Sequence, residues 1–217
     1  MIEGIELSID REAVVVKSAR SMSVCSSAVV GGGLVAARAV INLHVAKSDP
    51  CADPSSMLSA YARRVAVPEP YVGLLTGAWT EHAVVAEASC VGMAALAVVT
   101  VGLSNRAAAG RVPVLEWIPD TINTIVVVDA DAEPAALVNA IITATEVKVL
   151  ALDEAGIRGA EGATVSGTST DAVVVVATGR GPRARFGGPA SELGWTVGQA
   201  VREALMRGVQ QWKERNP

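Results

Sequence analysis

TINTIVVVD (Thr121–Asp129) and DAVVVVA (Asp171–Ala177) bracket the part of the chain on which the fold turns. Each is a short β-branched run that reads as a buried strand. Between them, Pro134–Ala155 has the length and spacing of a helix. Pro134 suits its first turn, Glu133 the positive end of its dipole and Gly156 its C-terminal cap. Gly162–Thr170 follows as a loop rich in glycine and hydroxyls. The polar residues of this unit stand where packing alone would not put them. Thr143, Thr145, Glu146 and Lys148 interrupt an otherwise apolar helix, and Ser166, Gly167, Thr168, Ser169, Thr170 and Asp171 lead straight into a strand. Polar groups on the inner faces and ends of apolar elements cost free energy unless bonded, so this stretch marks a candidate site.

Working outward, the composition bounds the rest. The chain has 217 residues, 51% of them apolar, with Ala and Val dominant and a single Phe, Phe186. Small β-branched residues suit strand-rich layers and close helix contacts. The net charge of -4 comes from interspersed signs with no basic stripe, which argues against nucleic acid as a partner. The opening MIEGIELSID lacks a charged region followed by an apolar run, so a signal peptide is not expected. Apolar runs are broken by Gly, Thr or charge, so no transmembrane helix is expected either. Cys25, Cys51 and Cys90 are odd in number, widely spaced and form no CxxC pair, which reads as reduced thiols in a cytoplasmic protein.

Before the central unit, Ile5, Leu7 and Ile9 alternate with polar residues, and Ala13–Lys17 follows an Asp10-Arg11 corner, which predicts an antiparallel hairpin. Ser21–Val30 is strand-like and ends in Gly31-Gly32-Gly33, where the backbone can take positive φ. Ala36–Val45 reads as a strand, Lys47–Ser56 as a loop with two Asp-Pro steps, and Ser55 or Ser56 as the cap of a short helix to Arg64. Tyr71–Thr76 and Ala94–Ser104 are predicted strands, Glu81–Glu87 is ambiguous, and Asn105–Arg111 and Arg180–Gly188 are loops. A last helix runs from about Pro189 to Lys213, with Gly194 and Gly198 on the face that recurs at three and four residues. The simplest architecture is a single α+β domain, residues 1–217, with mixed or antiparallel sheet layers covered by helices. An α-β-β-α stack is one arrangement of those layers.

Several motifs, in this order, resemble the adenosylcobinamide amidohydrolase family: Ser26-Ser27-Ala28 with Gly31-Gly32-Gly33, then Asn42 and Val45, then Leu75-Thr76. Val99–Asn105 with Arg106, Ala109 and Gly110 comes next, followed by Thr121-Ile122-Asn123 and Thr143–Lys148. Gly167–Ala172 and Gly188–Gly194 complete the set, so the resemblance runs from about Ser21 to Trp212. Two positions depart from the family's pattern: Asp120 stands where Gly usually precedes Thr-Ile-Asn, and Ser169 where the middle Gly of Gly-Thr-Gly-Thr-Asp is usual. The resemblance implies hydrolysis of the amide that joins a corrin propionate arm to aminopropanol, in salvage of incomplete corrinoids, with no cofactor. It leaves a homo-oligomer open.

Amide hydrolysis needs a nucleophile or activated water, a proton acceptor and donors for the oxyanion. Gly102-Leu103-Ser104-Asn105-Arg106 fails the G-x-S-x-G pattern at its last position, and no H-E-x-x-H occurs. With only His44 and His82 present, a three-ligand zinc site would also need a carboxylate or cysteine, and no metal is assigned. Thr168, Ser169 and Thr170 offer hydroxyls that Asp171 can orient or deprotonate, or the loop is simply a polar turn. Lys148 is a base, an oxyanion donor or a snorkelling surface lysine; Glu146 is a base for water or an ion-pair partner. The candidate catalytic residues are thus Asp171, Lys148, Glu146, Thr168 and Thr170. Asn42, Asn105 and Asn123 suit the amide-bearing rim of a corrinoid, or make turns. His44 is an acid or base on the Asn42 strand face, or a core-edge histidine with a backbone partner. With Thr121, Thr145, Ser166 and Gly167 these complete the candidate substrate-binding set. Two rival functions stand beside hydrolysis: a non-catalytic corrinoid-binding protein on the same scaffold, and an autoprocessing hydrolase with its nucleophile within Ser166–Thr170.

Overall fold

The computed structural model describes residues 2–49, 51–112 and 120–216; Pro50, in the predicted Lys47–Ser56 loop, lies outside them. The elements in order are β1 (Ile5–Ile9), β2 (Ala13–Ser26), β3 (Gly33–His44), α1 (Pro54–Arg64), β4 (Tyr71–Thr76), β5 (Val84–Cys90), β6 (Met93–Val101) and β7 (Arg106–Ala107). They continue with β8 (Ile122–Val128), β9 (Asp131–Ala132), α2 (Pro134–Glu154), β10 (Gly167–Thr168), β11 (Ala172–Ala177), β12 (Arg183–Ala184) and α3 (Glu192–Arg215).

The main sheet has the order β4-β3-β2-β11-β8-β6-β5, with β1 also paired to β2. It is mixed: β8 and β11 run parallel, as do β3 and β4, while the other pairs are antiparallel. Every residue of β8 and β11 is buried, because both faces of these strands are covered. This is why their sequences are continuous β-branched runs and do not alternate. One face, carrying Ile122, Val126, Val128, Val173, Val175 and Ala177, packs against α2 and α3. The other face, carrying Ile125, Val127, Val174 and Val176, packs against Val14, Val16, Val24, Val40, Val72 and Leu74 of β2, β3 and β4. The outer face of β2 and β3, with Val15, Ala39 and Ile41, then packs on Leu58, Tyr61 and Ala62 of α1. The sheet thus folds over on itself, and the layers run α-β-β-α as one α+β unit.

Several boundaries differ from the sequence reading. Ala13–Lys17 and Ser21–Val30 are one strand, β2, with a register shift between Lys17 and Met22. A bulge lets a long strand bend, so β2 pairs with β1 at one end and β11 at the other. The cap of α1 is Asp53, whose side chain accepts from Ser56 N at 3.0 Å; neither Ser55 nor Ser56 takes that role. Pro54 in the first turn fixes the start there. Glu133 precedes α2 without a side-chain cap bond and pairs with Arg183 instead. The ambiguous Glu81–Glu87 splits into a helical turn at Thr80–His82 and the start of β5. The last helix begins at Glu192 behind Ser191, whose hydroxyl accepts from Gly194 N at 3.1 Å. The expectation about apolar length also needs correction: α2 is long and apolar enough to cross a membrane by length and composition, with a mean hydropathy of 1.6. In the fold, Ala136, Leu137, Ala140, Ala144, Ala151 and Leu152 on one of its faces are buried in the core.

The small-residue spacing suggests a close approach of α3 to a sheet or another helix; Gly198 faces Val147 and Thr143 of α2, but Gly194 approaches the loop before α3. A Cβ at Gly194 would overlap the carbonyl oxygens of Gly188 and Gly187, whereas a Cβ at Gly188 would meet nothing within 4 Å. Gly194→Ala is therefore expected to lower unfolding free energy by about 1–3 kcal/mol, the usual range for overpacking. Gly188→Ala should stay within about 0.5 kcal/mol of the parent. Urea denaturation of both variants checks this.

Candidate functional site

The polar residues gather at one end of the folded sheet. β3 and β4 finish there, β6 finishes there, and β8 and β11 begin there. Asp171, just ahead of β11, is the hub. Its Oδ1 accepts from the backbone N–H of Ile122 at 2.9 Å and from the Thr168 hydroxyl. Its Oδ2 accepts from Thr168 N at 3.1 Å and from Lys148 Nζ. Both side chains of the ion pair are only 9% exposed. Lys148 lies on the inner side of α2, so it is not a snorkelling surface lysine. Gly167 leaves room for the pair, since a Cβ there would overlap both Asp171 Oδ2 and Lys148 Nζ.

Asp171 also lines a cavity of about 400 Å³, together with Ser27, Val29, Cys51, Pro54, Leu74, Leu75, Thr121, Asn123, Thr170 and Ala172. Ser27 Oγ accepts from Val173 N at 3.1 Å, which leaves its own proton for another acceptor. Among the described residues, the Thr170 hydroxyl oxygen is buried and has no hydrogen-bond partner. Such a group is costly unless a ligand completes it. Cys51 is 8% exposed; burial first, and then the neighbouring Asp49 carboxylate, push its thiol from 9.0 up to about 11.

The structure does not bring all candidate residues together. Asp171, Lys148, Thr168 and Gly167 meet in one cluster, and Thr121, Asn123 and Thr170 share the cavity wall with Asp171. Asn42 and Asn123 face one another as a bonded pair, with Asn123 Nδ2 donating to Asn42 Oδ1 at 2.8 Å, and do not form an open rim. Ser166 and Asn105 are loop clamps: Ser166 Oγ accepts from Ala109 N at 2.8 Å, and Asn105 Nδ2 donates to Ser169 Oγ at 2.7 Å. Thr145 bonds back to Ile141 O within α2, and Glu146 is exposed on the outer side of that helix, away from the cluster. His44 contacts the Ala78 carbonyl at 3.1 Å and stacks on Trp79. That places it near a second, smaller cavity of about 170 Å³, lined by Lys47, Trp79, His82, Asp120 and Trp212 among others. Asp120, 1% exposed, accepts from Ser104 N at 2.7 Å and Lys47 Nζ at 3.1 Å. Sequence reasoning missed Ser27, Cys51 and Leu75 as cavity residues. Ser27 stood inside a quoted motif, but Cys51 carried no local signal. Among the described residues, no three His, Cys, Asp or Glu side chains converge as metal ligands.

Comparison with known proteins decides the family. A family model described as adenosylcobinamide amidohydrolase matches residues 1–217. The chain belongs to the adenosylcobinamide amidohydrolase family. It is 30% identical over 194 residues to the adenosylcobinamide amidohydrolase of Methanosarcina mazei, covering 83% of this chain and 87% of that one. It is 34% identical over 139 residues to the protein of the same name from Halobacterium salinarum, covering 61% of this chain and 55% of that one. Among solved structures, the PH0078 protein from Pyrococcus horikoshii OT3 aligns with a TM-score of 0.51 at 12% identity, covering 97% of this chain and 80% of that one. A Burkholderia sp. beta-aminopeptidase aligns with a TM-score of 0.50 at 14% identity, covering 93% and 79%. These two likenesses concern the fold.

Two measurements follow from the site's construction. Gly167→Ala has to part the Asp171–Lys148 pair, and separating a buried pair typically costs about 3–5 kcal/mol, to be read by chemical denaturation. The raised thiol of Cys51 stays protonated at neutral pH. Its alkylation by N-ethylmaleimide, followed by peptide mapping, should climb roughly tenfold per pH unit until about 11, where an unperturbed thiol would level off near 9.

Proposed function

We propose that the cavity at Asp171 is where this protein hydrolyses the C–N amide of adenosylcobinamide, giving adenosylcobyric acid and aminopropanol. The whole-length family match supports the reaction class. The observation that carries the site assignment is a buried, ion-paired carboxylate and an unpartnered buried hydroxyl, Thr170, on the wall of one cavity.

In this reading Thr170 and Ser27 donate to the carbonyl oxygen of the bound amide and to the oxyanion that forms on it. Water attacks the carbonyl carbon, and Asp171 takes its proton. Asp171 already has four donors, from Ile122 N, Thr168 N, Thr168 Oγ and Lys148 Nζ. Three of those are backbone groups or a buried ammonium. The fourth, the Thr168 hydroxyl, turns about a single bond and is the donor that water displaces. Lys148 holds the carboxylate in place. The proton then passes to the departing amine, so that acid and amine leave as separate products. Glu146, on the outer side of α2, has no part in this scheme. A cytoplasmic setting belongs to the same proposal and rests on the sequence. The names of the relatives do not favour the rival reading of a protein that only binds corrinoids.

The test is to incubate purified protein with adenosylcobinamide and follow the corrinoid by mass spectrometry. Wild type is expected to yield adenosylcobyric acid. Asp171→Asn should reduce kcat by roughly 100-fold or more, the scale of a lost general base, measured well below its lowered melting temperature on protein that circular dichroism shows to be folded. Full activity of Asp171→Asn would refute the assignment of the base. Bound but uncleaved substrate with wild type would return the protein to the binding reading.

A further inference from the structure

A line of buried polar side chains crosses between the two sheet layers beside the cavity. Asn123 Nδ2 donates to Asn42 Oδ1 at 2.8 Å and to the Leu75 carbonyl at 2.9 Å. A carboxamide nitrogen carries two hydrogens, so both are used, and two acceptors on one atom fix which way this amide lies. Asn42 Nδ2 in turn donates to Thr100 Oγ1 at 3.0 Å. At the other end, Asn123 Oδ1 accepts from the Thr121 hydroxyl at 3.3 Å. The line therefore runs one way, from Thr121 through Asn123 and Asn42 to Thr100, and it consumes the single Thr121 proton. All four residues are at most 2% exposed. Thr121 nevertheless lines the cavity, and its oxygen has only lone pairs left to offer there.

We infer that Thr121 accepts the N–H of the scissile amide, and that this makes the site selective for an amide over the ester of the same acid. The inference rests on the hydrolase reading above and adds a selectivity to it. A trans secondary amide presents an acceptor on one edge and a donor on the opposite edge. The carbonyl suits the free Thr170 hydroxyl, and the N–H suits the committed Thr121 oxygen. An ester keeps the carbonyl but turns an alkoxy oxygen toward Thr121, setting lone pair against lone pair. Sites whose buried polar groups are left unpaired by an analogue reject it strongly. Asn42 and Asn123 act here as positioning residues: they touch Thr121 or one another, and they set the direction of its proton.

The test compares adenosylcobinamide with the analogue in which oxygen replaces the scissile amide nitrogen, using the full-length protein. The readout is the ratio of kcat/KM for amide to ester in wild type, Thr121→Val and Thr121→Ser. Thr121→Val is expected to lower amide turnover by roughly 10- to 100-fold while ester turnover rises, because the opposing lone pair is gone, so the ratio collapses. Thr121→Ser keeps the hydroxyl and should hold both near wild type, which separates a lost acceptor from a damaged fold. An equal loss on both substrates in Thr121→Val, or an unchanged amide rate, would overturn the inference while leaving the hydrolase intact. A wild type inactive on both substrates would remove the hydrolase reading and this inference with it.

Discussion

The carboxylate of Asp171 is the constraint that the functional end of the molecule is built around. It takes donors from the first residue of β8, from the loop before β11 and from the inner side of α2. A carboxylate offers about four lone-pair positions, and here all are engaged. The four donors come from three elements, β8, β10 (Thr168 twice) and α2, so the charge can be buried only if those pieces arrive together. The parallel register that sets Ala172 against Asn123 places Asp171 beside Ile122, whose N–H it accepts. The same saturation restricts the chemistry. A filled carboxylate is a poor base until one donor leaves, and only the Thr168 hydroxyl can turn away without disturbing backbone or burying an unpaired ammonium. Binding a ligand and freeing a base are then the same event.

Much of the frame is legible in the sequence because it is local. β8, β11, β6 and the two long helices announce themselves through β-branched runs, helical spacing, proline and glycine punctuation. The folding-over of the sheet is not local. It depends on the bulge in β2, and Ser18-Ala19-Arg20 carries no apolar alternation that would join the two strand-like runs on either side. The cap of α1 was ambiguous for another reason: Asp53, Ser55 and Ser56 are all competent caps, and Pro54 in the first turn settles among them.

The site divides along the same line. Lys148, Thr168 and Asp171 stand out as polar groups in apolar elements, and the structure joins them. Glu146 stands out equally, but two residues from Lys148 on a helix is about 200° of rotation, so it faces outward. Asn42 and Asn123 are visible as carboxamides within strands, yet 81 residues separate them and nothing local says that each is the other's partner. Burying such a pair is expensive unless every donor finds an acceptor. Here both Asn123 donors find acceptors and Asn42 Nδ2 bonds Thr100, so the pair is held from both sides.

The two positions at which this chain differs from its family's pattern act on one loop. Asp120 accepts from Ser104 N, and Ser169 accepts from the Asn105 side chain. Glycine at either position would offer neither bond. The contributions are unequal. The Ser169 contact is exposed and competes with water, whereas Asp120 is 1% exposed and its carboxylate needs Ser104 N and Lys47 to be tolerable at all. Asp120 also constrains Gly102, because a Cβ at Gly102 would overlap its Oδ1. The acidic residue and the glycine beside it are a single structural choice. Together they form the wall between the smaller cavity and Thr121, the first residue of the polar line that borders the larger one. A change at Asp120 would therefore reach the larger cavity through the position of Thr121, its neighbour in the chain, rather than by direct contact.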